Sequence, residues 1–311
     1  MLNISYNISP DLRGFLQKIE NQRRTIMLTP LSLKTELKLR WKSTVKRIHW
    51  SLSLNESSLT ESEIAHILTS SPKKKLSQPQ QDVIGYKKAL DYILHEWFVN
   101  SKPVTIKAVQ YIHQLSSIGR PTGSESRLKE LLDYVQTNPE NPIIQAAIVQ
   151  IELMNLSPFT AGNERVSILL PYLFLYKNGY DFRGLLVLEK YWQKNIVSFK
   201  ESIKACLRNG NLTLWLEYFA LAVSNQLTEA AQEISSELSH ADLFSSFWEL
   251  NDRQKEILSF LQQPEVAITN KKVRKMFKIS QITASRDLSK LVTLGLLFSR
   301  GKGRSINYTR V

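Results

Sequence analysis

Ser157-Pro-Phe-Thr-Ala-Gly-Asn-Glu-Arg-Val-Ser-Ile168 is the stretch that decides how this chain is read. Pro158 fits a turn or the start of a helix, since its ring fixes φ and it has no N–H to leave unpaired. Gly162-Asn163 can take left-handed or nest-like geometry that aims successive N–H groups at an anion. From Glu164 onward Val166, Ile168, Leu169, Tyr172, Leu173 and Tyr176 recur at roughly helical spacing, which predicts a buried helix over 166–177. A loop feeding the N-terminus of such a helix is a ready anion site.

Upstream, Asn141-Pro142 starts a helix over 143–154, with Ile144, Ala147, Ile148, Ile151 and Leu153 expected in the core. The stretch it leads into resembles the signature of the Fic family, H-P-F-x-D/E-G-N-G-R-x-x-R. Pro158, Phe159, Gly162, Asn163 and Arg165 match. The resemblance implies a Fic-like helical bundle. In active members it also implies AMP transfer from Mg-ATP to a protein hydroxyl: the histidine is the general base, the acidic residue holds Mg²⁺, and the turn and two arginines hold the phosphates.

Four positions depart from that pattern. Ser157 stands where the base belongs, and an unassisted serine hydroxyl takes no proton near neutral pH. Ala161 replaces the metal-binding carboxylate, so Mg²⁺ loses its protein ligand. Glu164 replaces the second glycine and puts a carboxylate where phosphate oxygens would approach. Ile168 removes the second phosphate arginine. A general base is worth ~10²–10⁴ in rate and the metal's charge several kcal/mol more. The catalytic set is therefore expected to be degenerate, with Gly162, Asn163 and Arg165 as a vestigial phosphate seat. No metal or cofactor is expected, and any ATP binding should be weak and indifferent to Mg²⁺.

Other stretches extend the resemblance. Ser51-Leu-Ser-Leu-Asn-Glu-Ser-Ser-Leu-Thr60 is similar to a degraded S-x-x-I-E-G-N-x-L-T segment, whose glutamate pairs with the second motif arginine in the family. Aligned through Leu59-Thr60, that position is Asn55, with Glu56 one place late, and the partner arginine is Ile168; both halves of the pair are gone. The run from Asn211 to Phe219 resembles the D-x-T-x-W-x-x-F-F end of Fic proteins, and Trp215 and Phe219 read as core. Active members insert a β-hairpin flap between two core helices, where it aligns the target by strand addition. Here only about a dozen residues separate Leu115 from Leu128, too few for two strands.

With 311 residues, 42% apolar and 22% charged, the chain is globular and long enough for about two to three domains. The longest apolar run, 168–176, contains Pro171 and falls short of the ~20 residues that span a bilayer. Residues 1–28 lack the apolar core of a secretory signal and Cys206 is the single cysteine, so a cytoplasmic location without disulfides is expected. His49, His66, His95, His113 and His240 show no metal-ligand spacing. No Walker loop, nucleophile elbow or dinucleotide fingerprint is present.

Elsewhere the periodicity predicts helices after Ser9-Pro10 and after Pro30. In the second, which Pro30 opens, Leu31, Leu33, Leu37, Leu39, Trp41, Val45, Ile48 and Trp50 should face inward and Lys34, Lys38, Arg40, Lys42, Lys46 and Arg47 should be solvated. Thr60-Glu-Ser-Glu63 reads as a capping box, followed by a polar turn over 70–75. Further helices are expected over 83–99, 104–115, 128–137, 185–191, 195–207, 213–223 and 227–238.

The net charge of +13 is unevenly spread. Residues 252–311 hold 13 Lys/Arg against 4 Asp/Glu, a net of +9, and the other 251 residues carry +4. A concentrated basic module is the footprint of nucleic-acid binding. Its pattern is three helices (252–262, 271–277, 281–294) and a hairpin (296–299, 304–309) with Gly301 and Gly303 in the turn. That is the plan of a winged helix-turn-helix, and Ser280-x-x-Thr-Ala-x-Arg-Asp-Leu-x-x-Leu291 resembles the recognition helix of bacterial regulators in that class. Ala284, Leu288, Leu291 and Val292 should pack inward with Gly295 closing the helix. Gln281, Ile282, Thr283, Arg286, Ser289 and Lys290 face out, and Arg300, Lys302 and Arg304 add charge in the wing.

The expected architecture is mostly α: an N-terminal helical region (1–100), a degenerate Fic core (101–245) and a winged helix-turn-helix (246–311). The expected function is regulatory binding of duplex DNA, the Fic domain acting as a sensor of a small phosphorylated ligand, a dock for a protein or a homodimerisation body, with no membrane partner. Two rivals stay open, a Fic-type adenylyltransferase working through other groups and a protein-interaction scaffold.

Overall fold

The computed structural model describes residues 4–54, 58–70, 76–138, 140–239, 250–261, 267–293, 296–300 and 306–310. Its centre is a helical hairpin, α7 (Pro142–Leu156) and α8 (Asn163–Lys177), packed side by side. Both are apolar around most of their circumference, the pattern of a helix with no solvent face. Every residue from Val166 to Tyr176 is buried. Asn141 starts α7 by accepting a hydrogen bond from the Ile143 amide at 2.9 Å, with Pro142 in the first turn.

The surrounding helices bury this hairpin. α1 (Pro10–Leu28) runs along α11 (Thr213–Ser239), and Trp215 ties α11 to α7 by donating its indole N–H to the Ala147 carbonyl at 2.7 Å. α4 (Gln78–Trp97) and α5 (Ile106–Ser116) both pack on α8, and α6 (Glu125–Thr137) packs on α7. α2 (Leu33–Ser53) lies against α9 (Leu188–Lys194), α3 (Glu61–Thr69) against α2 and α4, and α10 (Ile196–Asn209) against α11. The capping box is present, with Thr60 and Glu63 bonding each other's backbone N–H. Trp215 and Phe219 are fully buried.

The structure corrects several expectations. Arg47 is not solvated: it is 4% exposed, donates to the Leu186 carbonyl at 2.7 Å and the Tyr176 hydroxyl at 2.9 Å, and lies 4.3 Å over the Tyr172 ring. Buried Glu189 supplies the neighbouring negative charge and accepts from Tyr86 and Tyr172 at 2.8 and 2.7 Å. A planar guanidinium with fixed donors suits such a site. Lys38 and Lys46 pair with Glu237 and Glu233 of α11. The second helix starts at Leu33 with Ser32 as cap, so Pro30 and Leu31 lie outside it, and Leu33, in the uncovered first turn, is exposed. The helices expected over 213–223 and 227–238 are one continuous α11, because nothing in Ser224-Asn-Gln226 breaks the backbone.

The C-terminal unit comprises α12 (Asp252–Phe260), β1 (Ala267–Thr269), α13 (Asn270–Phe277), α14 (Gln281–Thr293), β2 (Leu297–Arg300) and β3 (Asn307–Arg310). The strands form an antiparallel sheet in the order β1-β3-β2, with Tyr308 opposite both Ile268 and Ser299. A hairpin alone was expected, and three residues of β1 are too few to show alternation in the sequence. Ala284, Leu288 and Leu291 of α14 are buried as expected, beside Ile257, Ile268, Val273 and Leu297. Three helices and a small sheet are compatible with a winged helix-turn-helix. Asn55, Glu56, the 71–75 turn, His240, the 245/246 boundary, Gly295, Gly301, Lys302, Gly303 and Arg304 lie outside the described residues. Among the described residues no helix is long and apolar enough to cross a membrane.

Candidate functional site

The segment 157–162 leaves α7 through Ser157, whose left-handed backbone (φ 43°, ψ 62°) ends the helix. The Ser157 hydroxyl donates to the Met154 carbonyl at 3.0 Å, so it serves the helix end. The loop is pinned from two directions. Thr122 N–H donates to the Pro158 carbonyl at 3.0 Å, Thr160 N–H to the Arg120 carbonyl at 2.8 Å, and Arg120 N–H to the Thr160 hydroxyl at 3.0 Å. On the inside, Asn163 accepts from Phe159 N–H at 2.9 Å and donates to the Phe159 carbonyl at 2.6 Å. Asn163 thus closes the loop and does not offer its amide to a ligand.

His113 is buried beneath this loop, its ring stacked on Phe159 at 3.8 Å and 8°, with Nε2 2.9 Å from the Ala161 carbonyl. A carbonyl only accepts, so Nε2 carries the proton. The histidine was legible only as one of five scattered ones; its role is to shape the loop. Gly162 follows at φ +77°, and a β-carbon there would lie 2.3 Å from Cβ of Ser117.

α8 then begins without a side-chain cap. Arg165 projects from its first turn and is fully engaged. Its two terminal nitrogens meet the two oxygens of Asp82, on α4, at 3.0 and 2.9 Å, and Nη1 also donates to the Ser116 carbonyl at 2.8 Å. Gln78 adds a bond to Asp82 at 2.9 Å. Partial burial opposes ionisation of Asp82, but the Arg165 and Gln78 bonds and the Arg165 charge outweigh it and hold the carboxyl below its ordinary value. The sequence reading missed Asp82, which sits in a polar Gln-Pro-Gln-Gln-Asp run that reads as a solvated helix start.

These residues line an open cleft of about 530 Å³: Gln78, Asp82, Ser117 and Ile118 on one side, Ser157, Gly162, Asn163, Glu164 and Arg165 on the other. The structure brings together five of the seven motif residues singled out from sequence. Ala161 is exposed but is not among the lining residues, and Ile168 is 2% exposed and part of the core, so it belongs to the packing and not to the cleft. The Ser117 hydroxyl is shielded from solvent and has no partner among the described residues.

In the C-terminal unit Gln281, Ile282, Arg286, Ser289 and Lys290 are all exposed on α14, Ile282 at 66%. Thr283 is half-buried and its hydroxyl is bonded to Ser280, the residue before the helix. Arg300 is exposed at the end of β2. Two features were not singled out from sequence. Lys271, Lys272, Arg274, Lys275 and Lys278 form an exposed basic run on and just after α13. Asp287 is buried and accepts from Arg253 at 2.5 Å, Gln254 at 2.7 Å and Asn251 at 3.4 Å, joining α14 to α12.

A helical body around a buried hairpin, with a loop and helix N-terminus opening on a cleft, defines a Fic-type fold. Residues 115–175 match the family model of the Fic/DOC family, and the chain carries a Fic/DOC family domain. Solved structures agree on the fold. A Fic family protein from Desulfovibrio desulfuricans G20 is 14% identical with a TM-score of 0.62, covering 100% of this chain and 98% of that one. Fic-1 from C. elegans is 17% identical with a TM-score of 0.60, over 71% of each chain. A Fic domain containing signaling protein from Bacteroides thetaiotaomicron VPI-5482 is 14% identical with a TM-score of 0.56, over 73% of this chain and 97% of that one.

Proposed function

We propose that this chain is a regulator that binds duplex DNA through its C-terminal unit, residues 246–311, while its Fic/DOC domain senses a small anionic ligand or docks a partner. The observation that carries this reading is the α14 face. Gln281, Ile282, Arg286 and Lys290 stay exposed beside the α13 cations, in a stretch, residues 252–311, with 13 Lys/Arg and 4 Asp/Glu. Gln can pair with adenine, Arg with guanine or a phosphate, and an exposed Ile can touch a thymine methyl. Helix-turn-helix proteins present the recognition helix to the major groove in this way. Lys302 and Arg304 would add sequence-independent affinity.

Against AMP transfer stands the donor set of the cleft. Asp82 and Glu164 bring two carboxylates to the lining of the cleft, and its guanidinium, that of Arg165, is already paired with Asp82. The position that holds Mg²⁺ in active relatives is Ala161, which has no oxygen side chain to offer. A magnesium nucleotide, whose metal would find no oxygen ligand at Ala161, does not fit these groups, and no step is built on one. The Ser157 hydroxyl donates to the Met154 carbonyl, and the imidazole of His113 is buried with its Nε2 proton held by the Ala161 carbonyl.

Selection of a preferred duplex from a random pool by the full chain, followed by titration at several salt concentrations, tests the reading. Specific binding with a steep salt dependence is expected. Failure to retain any duplex at low salt would raise the protein-interaction alternative above it.

A further inference from the structure

Helix α4 has different neighbours at its two ends. Its first turns place Gln78 and Asp82 in the cleft, where Asp82 occupies Arg165. Near its other end His95 meets Phe298 of β2, ring centroids 4.0 Å apart and edge to face at 85°. From Asp82 to His95 the helix rises about 20 Å. Nε2 of His95 is shielded from solvent without a partner among the described residues, so the contact is ring against ring. The C-terminal unit also touches the body where α14 meets α3, and α3 itself packs on α4. Between its ends α4 is gripped by α5 and α8.

An anion entering the cleft would find the amide end of α8, which has no side-chain cap, and Arg165. To reach Arg165 it must take the guanidinium from Asp82. That exchange breaks the ion pair that ties the first turns of α4 to the start of α8, and small sliding of a packed helix is a recognised response to such a change.

We propose that α4 couples occupancy of the cleft to the seat of the C-terminal unit: an anion that displaces Asp82 from Arg165 loosens the hold of His95 on Phe298. The proposal rests on reading the Fic/DOC domain as a sensor, but its test needs no DNA. Coupling of this kind is reciprocal, so loosening the Phe298 seat must also ease anion entry by the same factor.

The test measures inorganic phosphate binding to the full chain by calorimetry at constant ionic strength. Asp82→Asn should tighten binding about fivefold or more, and Arg165→Ala should abolish it. Phe298→Ala and His95→Ala, which open the same contact from opposite sides, should each tighten binding by about fivefold as well. Two variants keep the result readable if one of them unfolds the C-terminal unit, which circular dichroism reports. Amide exchange across residues 297–300 should be faster in Asp82→Asn than in the parent.

Three outcomes overturn the proposal: phosphate affinity unchanged in both Phe298→Ala and His95→Ala, binding that survives Arg165→Ala, or no binding by any variant. Loss of duplex binding in the separate selection would sink the regulator reading and leave this coupling standing.

Discussion

Gly162 lies so close to Ser117 that a β-carbon at position 162 would be 2.3 Å from the serine Cβ and 2.6 Å from its hydroxyl. The same glycine holds φ at +77°, where side chains are strained. Gly162→Ala should therefore lower stability by about 1–3 kcal/mol from backbone strain alone, with the displacement of 117 adding to it. Thermal unfolding of the full chain checks this, Gly123→Ala (φ +84°, nothing within 4 Å) serving as the control for backbone strain without a close neighbour.

Asp287 gives a pH prediction. Burial opposes its ionisation, but the bonds from Arg253, Gln254 and Asn251 and the Arg253 charge outweigh it and hold its carboxyl below the usual value of 3.8. A folded-state value below the unfolded one adds stability that is complete above about pH 4 and is lost as pH falls through the folded value. Asp287→Asn should remove that acid-dependent share and cost about 1–3 kcal/mol at neutral pH by weakening the bonds of a buried acceptor. Urea unfolding from pH 7 to pH 3, followed in the C-terminal unit, is the measurement.

For DNA binding, Arg286→Ala should cost about 1–3 kcal/mol on the preferred duplex and relax specificity at one position. Lys275→Ala on α13 should weaken every sequence alike and lower the salt slope by about one. An Arg286→Ala variant that binds all duplexes as the parent does would remove α14 from the interface.

Incubation with Mg-ATP should give no adenylylation of the chain or of a hydroxyl substrate at the rate of an active Fic enzyme. Mass spectrometry of the product decides. A mass gain of one AMP that Arg165→Ala eliminates would restore the enzyme reading, and any ATP binding seen by calorimetry should be weak and the same with and without Mg²⁺.

The hairpin of α7 and α8 was legible because its cause is local: Asn141-Pro142 marks the start and unbroken apolar sequence marks burial on all sides. The inward face of α14 was legible for the same reason. Arg47 and Asp82 were not, since each is defined by a partner far along the chain, Tyr176 for one and Arg165 for the other. Periodicity assigns a face to a charged residue but cannot say that a distant buried acceptor waits there. Ile168 was legible from the apolar spacing as a residue of the buried helix, and it lies in the core where the motif spacing would put an arginine.

The cross-link between residues 120–122 and 158–160 has a consequence for any guest at the loop. The amides of Arg120, Thr122 and Thr160 and the carbonyls of Arg120 and Pro158 are all committed within the chain. Recognition by strand addition works by lending free main-chain groups to an extended visitor, and this rim has those groups already satisfied. A polypeptide approaching here would have to be told apart by its side chains, against a lip bearing exposed Ile118, Arg120 and Glu164.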